Sequence, residues 1–533
     1  MGFATLDYIV LGGYFVLLLG VAWWVIRQKQ NNAEDYFLAG RHAGWFVVGS
    51  AIFASNIGSE HIVGLAGGAY EDGAAWAYYE LHSWIVLLLG WVFIPFYLRS
   101  GVFTMPEFLE RRYNPTARWI LSIMSLVAYV LTKVSVTVYA GAIVLTAFMD
   151  IEFWTGALIT VVLTGAYTIL GGMRAVIYTE TLQAFVLLIG SVFITVIGLG
   201  KVGGFSGLTE IVGREQLDMF LPANDPDVPW PGIIITGTIV GVWYWCTDQY
   251  IVQRTLAAAN IKEARRGTIF AGYLKLTPVF LFLLPGIIGY AMVQSGQLEI
   301  EKADQTFPIL VQTLLPVGLR GLVVGGLMAA LMSSLAAIFN SCSTLFTMDI
   351  YRKLRPDTSQ ESLVRIGQIA TLGVVILGCL WIPIMQDVSD KLYIYLQNVQ
   401  AYLAPPIFCA FVLGISWKRI NGRGAVWGML TGFGLGLSRL TLSLLDYNYP
   451  AWMLMDMNWL YFAIVLTGIT MLVMIGVSYT APAPSEAQLA GLTFSTVSKE
   501  DSESNRKSWN KYDVIHTVII IGAIIGIMWW LRG

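Results

Sequence analysis

Charged residues are scarce in this 533-residue chain. Only 12% of its residues are Asp, Glu, Lys or Arg, and 56% are hydrophobic, whereas about a quarter of the residues in a soluble domain are charged. Such a chain has too few polar side chains to cover a water-facing surface, which excludes an ordinary soluble enzyme and a disordered protein. The net charge of −2 excludes a basic nucleic-acid binder. The composition therefore predicts a polytopic membrane protein.

Cysteine is also rare and shows no pattern. The sequence has no Cys-x-x-Cys pair and no metal-ligand spacing around its four cysteines, Cys246, Cys342, Cys379 and Cys409. This argues against a disulfide scaffold or a zinc site. The Gly-x-Ser-x-Gly, His-Glu-x-x-His and paired-Asp motifs of hydrolytic enzymes are missing too, so we do not expect an enzyme.

Apolar runs of about 20 residues, the length that crosses a bilayer as a helix, recur along the chain. About fourteen such runs begin near residues 6, 43, 75, 117, 153, 176, 231, 267, 316, 364, 391, 423, 456 and 513. The first lacks the basic flank of a signal peptide, so we expect it to be retained. The polar stretch 481–510 contains Pro482 and Pro484 and is predicted to be a mobile loop.

The basic residues orient these spans. If the N-terminus lies outside, most of the 32 Lys and Arg residues fall in inner loops, and Lys133, Lys275 and Arg439 fall within spans. Positive charge is typical of cytoplasmic loops. We therefore predict that both termini are extracellular or periplasmic. Short outer loops favour a bacterial plasma (inner) membrane.

Two of the spans contain polar interruptions. The second span carries the patch Ala54–Glu60 at its midpoint, and the seventh runs through Gly237 and Gly241 into the polar stretch 246–249. A glycine in a membrane helix more often marks close packing against a neighbour. Matching interruptions five spans apart instead predict two five-helix halves of opposite topology, with a binding site near the bilayer midplane.

The first interruption offers free backbone carbonyl oxygens, which suit an alkali cation. In a later span Ser333 follows Ala330 by three residues, so the hydroxyl and the carbonyl share one helix face. Paired serines in a membrane helix also bond back to their own helix, and both interpretations stay open at this point.

The ionisable residues within spans are informative because each costs about 3 kcal/mol at the bilayer centre. Glu80 and Lys275 need a partner or a cavity, although a structural ion pair or snorkelling to the interface would also satisfy them. An uncharged polyol requires amide, carboxylate, ammonium and imidazole groups beside an aromatic face. The residues that supply this set are Asn56, His61, Glu80, Lys275 and Gln397, with Tyr244 and Trp245. No Arg lies near the midpoint of either interrupted span, as an anion site would require.

Several long stretches resemble the sodium:solute symporter family, and closely its sodium–glucose cotransporter branch. They lie at residues 53–61, 101–109, 171–183, 243–249 and 339–341. The resemblance runs from the first span to the last. It implies an all-α polytopic membrane protein of about 14 helices, with a LeuT-like core of five plus five inverted helices and flanking helices that works by alternating access.

The resemblance also implies site residues and the co-transported ion, Na+. Carried over onto this sequence, the sodium ligands are the carbonyls of Ala54, Ile57 and Ala330 and the hydroxyls of Ser333 and Ser334. The implied sugar contacts are Asn56, His61, Glu80, Trp245, Lys275 and Gln397, and Gln400 belongs to the same pocket. Tyr244 is implied as the inner gate and Tyr79 and Leu65 as outer-gate positions, and Glu180 lies on the ion exit path.

Three departures from the family pattern modify these expectations. Ala336 and Ala337 stand where two-sodium members carry hydroxyls, so we predict a single sodium ion per substrate. Glu180 replaces the usual Asp, and Gln400 replaces a small hydroxyl residue, which reshapes the sugar pocket. The Glu60-His61 pair also occurs in inositol-transporting relatives. Galactose, glucose, another hexose and an inositol all remain possible substrates.

The predicted organisation has seven segments: an N-terminal helix and inner loop at 1–42, a first inverted repeat at 43–201, an extracellular loop at 202–230, a second inverted repeat at 231–415, two flanking helices at 416–480, a cytoplasmic loop at 481–510 and a C-terminal helix at 511–533. The predicted function is sodium-driven uptake of a galactose- or glucose-like hexose. The alternatives are a sodium/myo-inositol or other polyol symporter, a sodium/carboxylate or amino-acid symporter, and a sugar-gated sensor or channel. We expect a monomer in a lipid bilayer, without an organic cofactor or a nucleic-acid partner.

Overall fold

The computed structural model describes residues 3–28, 32–58, 60–149, 151–386, 392–443 and 454–532. Within these residues nine helices are long and apolar enough to cross a membrane: Thr5–Ile26, Ala66–Ser100, Phe153–Lys201, Ile261–Gln294, Leu319–Leu354, Gln360–Leu380, Leu396–Ser416, Trp459–Tyr479 and Lys511–Trp530. Further helices complete the described chain, among them Trp45–Asn56, Met105–Arg112, Pro115–Ala128, Ser135–Met149, Trp230–Val242, Gln249–Leu256 and Gly422–Ser443. The described residues include no β-strand, which confirms the predicted all-helical fold.

The longest helix, Phe153–Lys201, has 49 residues and a break at Gly172, where φ is 52°. A straight helix of that length would measure about 74 Å, more than twice the roughly 30 Å of a bilayer core. A Cβ atom at Gly172 would lie 2.6 Å from the Tyr36 carbonyl oxygen, so glycine is required there for space as well as for φ. The break accounts for the two predicted spans near 153 and 176. The total of fourteen spans stays a prediction.

Both predicted interruptions are present, which confirms that expectation. The first broken helix runs over Trp45–Asn56, becomes extended at Ile57 (φ −79°, ψ 109°) and resumes through a wide π-helical turn, Glu60–Leu65. The second broken helix comprises Trp230–Val242 and Gln249–Leu256. A π-helical turn at 243–247 and an extended residue at position 248 (φ −79°, ψ 128°) separate its two parts. Such π-helical turns are frequent at functional sites.

The helix Leu319–Thr344, called the serine helix below, lies at the centre of the molecule. Residues 323–344 are all buried, because small side chains allow neighbouring helices to approach closely. A Cβ atom at Gly326 would lie 3.1 Å from Leu187 Cα, and one at Gly190 would lie 3.2 Å from Val323 Cα. This packing holds the serine helix against Phe153–Lys201 and beside the first broken helix.

The 481–510 segment is more ordered than a mobile loop. It contains the helices Glu486–Leu489 and Lys499–Lys507, and the Ser498 hydroxyl caps the second by accepting from the Asp501 amide at 3.0 Å. Asp501 lies 3.4 Å from the guanidinium of Arg99, which attaches the segment to the end of a long apolar helix. The proline-rich composition alone gave no sign of these contacts.

Candidate functional site between the two broken helices

A small, partly enclosed cavity lies between the two broken helices. Its lining residues are Asn56, His61, Tyr79, Glu80, His82, Val240, Gly241, Tyr244, Trp245, Lys275, Gln397 and Gln400. All of the predicted substrate contacts are in this set. The structure thus brings together side chains that are up to 344 positions apart in sequence, between Asn56 and Gln400.

A buried ion pair forms one side of the cavity. The Lys275 ammonium donates to Glu80 Oε2 at 2.6 Å, and His61 Nε2 lies 3.4 Å from Glu80 Oε1. Lys275 Nζ also lies 5.5 Å from the centre of the Trp245 ring, which is within the range of a cation–π contact. Because the two charges neutralise each other, this wall presents hydrogen-bonding groups without a net charge.

Four other polar atoms of the lining are buried and have no hydrogen-bond partner among the described residues. They are Asn56 Oδ1, Tyr79 Oη, His82 Nε2 and Gln397 Oε1. Leaving a buried polar group unpaired costs about 1–3 kcal/mol, and native structures contain few such groups. Four such atoms around one cavity are available to form hydrogen bonds with an occupant of the cavity.

Aromatic rings cover the side of the cavity formed by the second broken helix. Tyr244 packs edge-on against Trp245, with ring centres 5.1 Å apart and an interplanar angle of 81°. The Tyr244 hydroxyl accepts from Asn56 Nδ2 at 3.2 Å, which links the two broken helices across the cavity. Tyr244, predicted as the inner gate, therefore contacts a predicted sugar-binding side chain directly.

The predicted outer-gate residues differ in position. Tyr79 lines the cavity, whereas Leu65 is fully buried and is not among the lining residues.

Sequence reasoning missed His82, which packs on Tyr79 with ring centres 5.4 Å apart. Gly241 makes room for it, since a Cβ atom there would lie 3.0 Å from His82 Cε1. The glycines of the second broken helix were the available signal for this close approach.

The predicted cation ligands form a separate cluster at the first break. The Ser333 hydroxyl donates to the carbonyl of Ala54 at 2.6 Å and to that of Ala330 at 3.0 Å. The Ser334 hydroxyl donates to the carbonyls of Ser55 and Ile57, both at 3.2 Å. Back-bonding to the serine helix explains only the Ala330 contact, and the other three contacts bring the hydroxyls of the serine helix beside carbonyls of the first break.

This serine cluster (residues 54, 55, 57, 330, 333 and 334) suits an alkali cation. It supplies only neutral oxygens, and it lies at the C-terminal end of Trp45–Asn56, where the last carbonyls lack partners within their own helix and the helix dipole is negative. No group of three or more His, Cys, Asp or Glu side chains suited to a metal occurs in the described part of the chain. The Ser55 carbonyl was not predicted, because a backbone oxygen leaves no side-chain signal in a sequence.

Glu180, predicted on the ion exit path, lies in a fully buried ion pair. Its Oε1 atom is 2.7 Å from Arg254 Nη2. Arg254 belongs to the second broken helix and Glu180 to the long Phe153–Lys201 helix. The pair thus joins one part of a broken helix to the surrounding helices.

An all-helical chain with two matched broken helices beside a polar cavity has the architecture of an inverted-repeat secondary transporter. The model of the sodium:solute symporter family matches residues 36–432, more than half of the chain. The protein belongs to the sodium:solute symporter family.

Curated relatives cover nearly the whole chain. The sodium/myo-inositol cotransporter 2 of Homo sapiens is 38% identical over 92% of this chain and 79% of its own length. The sodium/glucose cotransporter 1 of Oryctolagus cuniculus is 38% identical over 90% of this chain and 79% of its own length.

Solved structures show the same fold. A Na+-coupled sialic acid symporter in a substrate-bound outward-open state aligns with a TM-score of 0.78 at 24% identity, over 90% of this chain and 99% of its own. A nucleobase-cation-symport-1 family transporter in a closed conformation aligns with a TM-score of 0.53 at 15% identity, over 87% and 99% of the two chains. These neighbours confirm the predicted LeuT-like fold.

Proposed function

We propose that the protein takes up a galactose- or glucose-like monosaccharide together with one sodium ion by alternating access. The observation that supports this substrate class best is the group of four buried, unpaired polar atoms around the cavity. A polyhydroxylated ring can both donate to and accept from such atoms, while an aromatic surface covers its C–H groups. The relatives named as sodium/glucose and sodium/myo-inositol cotransporters support the same class.

A sodium/carboxylate symporter fits less well. Recognition of a carboxylate requires a free cation such as an Arg fork. Among the described residues the cavity lining contains no Arg, and its one ammonium, Lys275, already donates to Glu80. A cyclic polyol such as myo-inositol would satisfy the same atoms as a hexose, so it stays the second candidate.

Coupling in this proposal follows from the position of the first break. Ala54, Ser55 and Ile57 contribute carbonyls to the serine cluster, and Asn56 between them points its amide to Tyr244 and the cavity. A sodium ion that orders these carbonyls also fixes the Asn56 backbone, so each ligand favours the conformation that binds the other. One inward charge adds about 2.3 kcal/mol per 100 mV of membrane potential.

The stoichiometry of one sodium has two supports. Ala336 and Ala337 offer no hydroxyl one turn beyond the serine pair. The Glu180 carboxylate is paired with Arg254 at 2.7 Å. Because this fixed cation already neutralises it, Glu180 does not need a second sodium ion.

Several broader expectations belong to the same proposal. We infer that the protein is not an enzyme, needs no organic cofactor and works as a monomer in the plasma membrane, with both termini outside. The two repeats are residues 43–201 and 231–415. Their relative movement opens the cavity alternately to the outer and the inner side of the membrane.

Uptake into proteoliposomes tests the proposed function. We expect labelled galactose, glucose or myo-inositol to accumulate when an inward sodium gradient is imposed, and not when potassium replaces sodium. Competition by excess unlabelled sugars, amino acids and sialic acid identifies the class. Inhibition by an amino acid or an acid sugar but by none of the neutral polyols would contradict the proposal.

A further inference from the structure

Another buried ion pair lies at the second break, outside the cavity lining. Lys133 Nζ is 3.3 Å from Asp248 Oδ2, and the two side chains are 12% and 2% exposed. Asp248 is the extended residue that interrupts the second broken helix. Lys133 belongs to the π-helical turn Tyr129–Val134, within a helix that continues from Pro115–Ala128 to Ser135–Met149.

Four aromatic rings surround the Lys133 ammonium. Its Nζ atom lies 4.1 Å from the ring centre of Tyr250, 4.5 Å from that of Tyr244, 5.5 Å from that of Tyr129 and 5.8 Å from that of Trp243. All four distances are within the range in which a ring face attracts a cation. One carboxylate and four rings thus form a pocket that holds a monovalent cation.

The position of this pair is the symmetry counterpart of the serine cluster. In the first predicted half, the first span is the first broken helix and the third span is the helix that contains Lys133. In the second predicted half, the first span is the second broken helix and the third span is the serine helix. The serine cluster joins the first break to the third span of the other half. The Lys133–Asp248 pair joins the second break to the third span of the first half, which is the equivalent position in an inverted repeat.

Hydrogen bonds connect the two positions. The Tyr250 hydroxyl donates to the Ser55 carbonyl, which also accepts from Ser334 in the serine cluster. The Tyr244 hydroxyl accepts from Asn56 in the first break. The two rings nearest to the ammonium therefore each contact the first broken helix at or beside the serine cluster.

We propose that Lys133 is a tethered cation that occupies the second half's equivalent of the sodium site. The proposal rests on the sodium site of the proposed function, and it extends that function by explaining why the second break needs no mobile ion. The ammonium neutralises Asp248 permanently, whereas the uncharged serine cluster is left for a sodium ion that binds and leaves. Without the ammonium, the buried Asp248 carboxylate would need either a proton or another cation, and we expect sodium from the medium to bind there.

Direct binding of ²²Na+ to the purified full-length protein tests this inference without a sugar. We expect one sodium ion per wild-type protein and two per Lys133→Ala protein. Lys133→Arg, which keeps a fixed cation, should bind one. In the double variant Lys133→Ala with Ser334→Ala, we expect the sodium affinity of the serine cluster to fall at least fivefold. The sodium affinity of the new site at Asp248 should stay unchanged. A Lys133→Ala protein that binds a single sodium ion would overturn the inference.

The two proposals fail in different ways in this experiment. The proposed function is contradicted if the wild-type protein binds no sodium. It is also contradicted if the Ser334→Ala protein binds sodium with unchanged affinity. If Lys133→Ala does not fold, Lys133→Ala with Asp248→Asn removes both charges and should fold and bind one sodium ion. If this charge-free variant fails to fold, or if it binds a second sodium ion, the pair does not act through its charge.

Discussion

The cavity and the serine cluster share one helix break but satisfy their polar atoms in opposite ways. In the cavity, the charged groups Glu80 and Lys275 pair with each other and uncharged atoms such as Gln397 Oε1 stay unpaired. In the cluster no group is charged, and both serine hydroxyls donate to carbonyls of another helix. We therefore propose that specificity for the organic substrate depends on side chains, whereas sodium binding depends mainly on backbone oxygens. Substitutions should separate the two properties.

The largest effect is expected on the cavity side, from Lys275→Ala. Removal of the ammonium leaves the Glu80 carboxylate buried without its partner, which costs about 3–5 kcal/mol. We expect loss of transport at every sugar concentration and a clear fall in the thermal unfolding temperature. Lys275→Ala with Glu80→Gln should recover much of the stability but not the transport. A Lys275→Ala protein as stable as the wild type would show that the pair is not needed.

Gln397→Ala should weaken sugar binding while leaving sodium binding intact. Loss of the amide removes a partner for the ligand, and one buried hydrogen bond of this kind is worth about 1–3 kcal/mol. We expect a roughly fivefold to hundredfold higher sugar Kd, measured by binding at saturating sodium. The exposed Gln294→Ala is the matched control. Equal weakening of sodium binding would remove the distinction between cavity and cluster.

Ser334→Ala should have the converse effect. It removes the hydroxyl that contacts the carbonyls of Ser55 and Ile57, so sodium affinity should fall about fivefold to tenfold, or about 1–1.4 kcal/mol. The maximal uptake rate at saturating sodium should be largely retained. Ser343→Ala is the matched control, because its hydroxyl donates to the Gly367 carbonyl outside the cluster. An unchanged sodium affinity in Ser334→Ala would contradict the assignment.

Ala337→Ser should have the smallest effect. The added hydroxyl can bond to a carbonyl of its own helix, and Glu180 stays paired with Arg254. We expect less than about a twofold change in sodium affinity and no second sodium ion. A Hill coefficient for sodium that rises from one towards two would show that a missing hydroxyl alone limits the stoichiometry.

Much of the fold and site could be predicted from the sequence, because polar residues are so few within the membrane. Apolar runs located the helices, and polar interruptions identified both broken helices. Asn56, Lys275 and Ser333 stood out because burial of such groups needs a reason. Their convergence at one cavity and one cluster is what the structure adds.

Other features depend on tertiary packing and left little or no sequence signal. The Ser55 carbonyl is a backbone group that every residue has. His82 reaches the cavity only because Gly241 allows close approach, and Leu65, predicted as a gate, is not part of the lining. The Lys133–Asp248 pair joins residues 115 positions apart, so a periodic pattern could not reveal it.

The central claim is that one sodium ion drives the uptake of one neutral sugar. Equilibrium accumulation in proteoliposomes tests it most directly, with the voltage clamped at zero, a tenfold inward sodium gradient and labelled galactose, glucose and myo-inositol. One sodium ion per sugar predicts about tenfold accumulation of the transported compound, since a tenfold gradient supplies about 1.4 kcal/mol. Accumulation near a hundredfold, or none above the sodium-free level, would contradict the account.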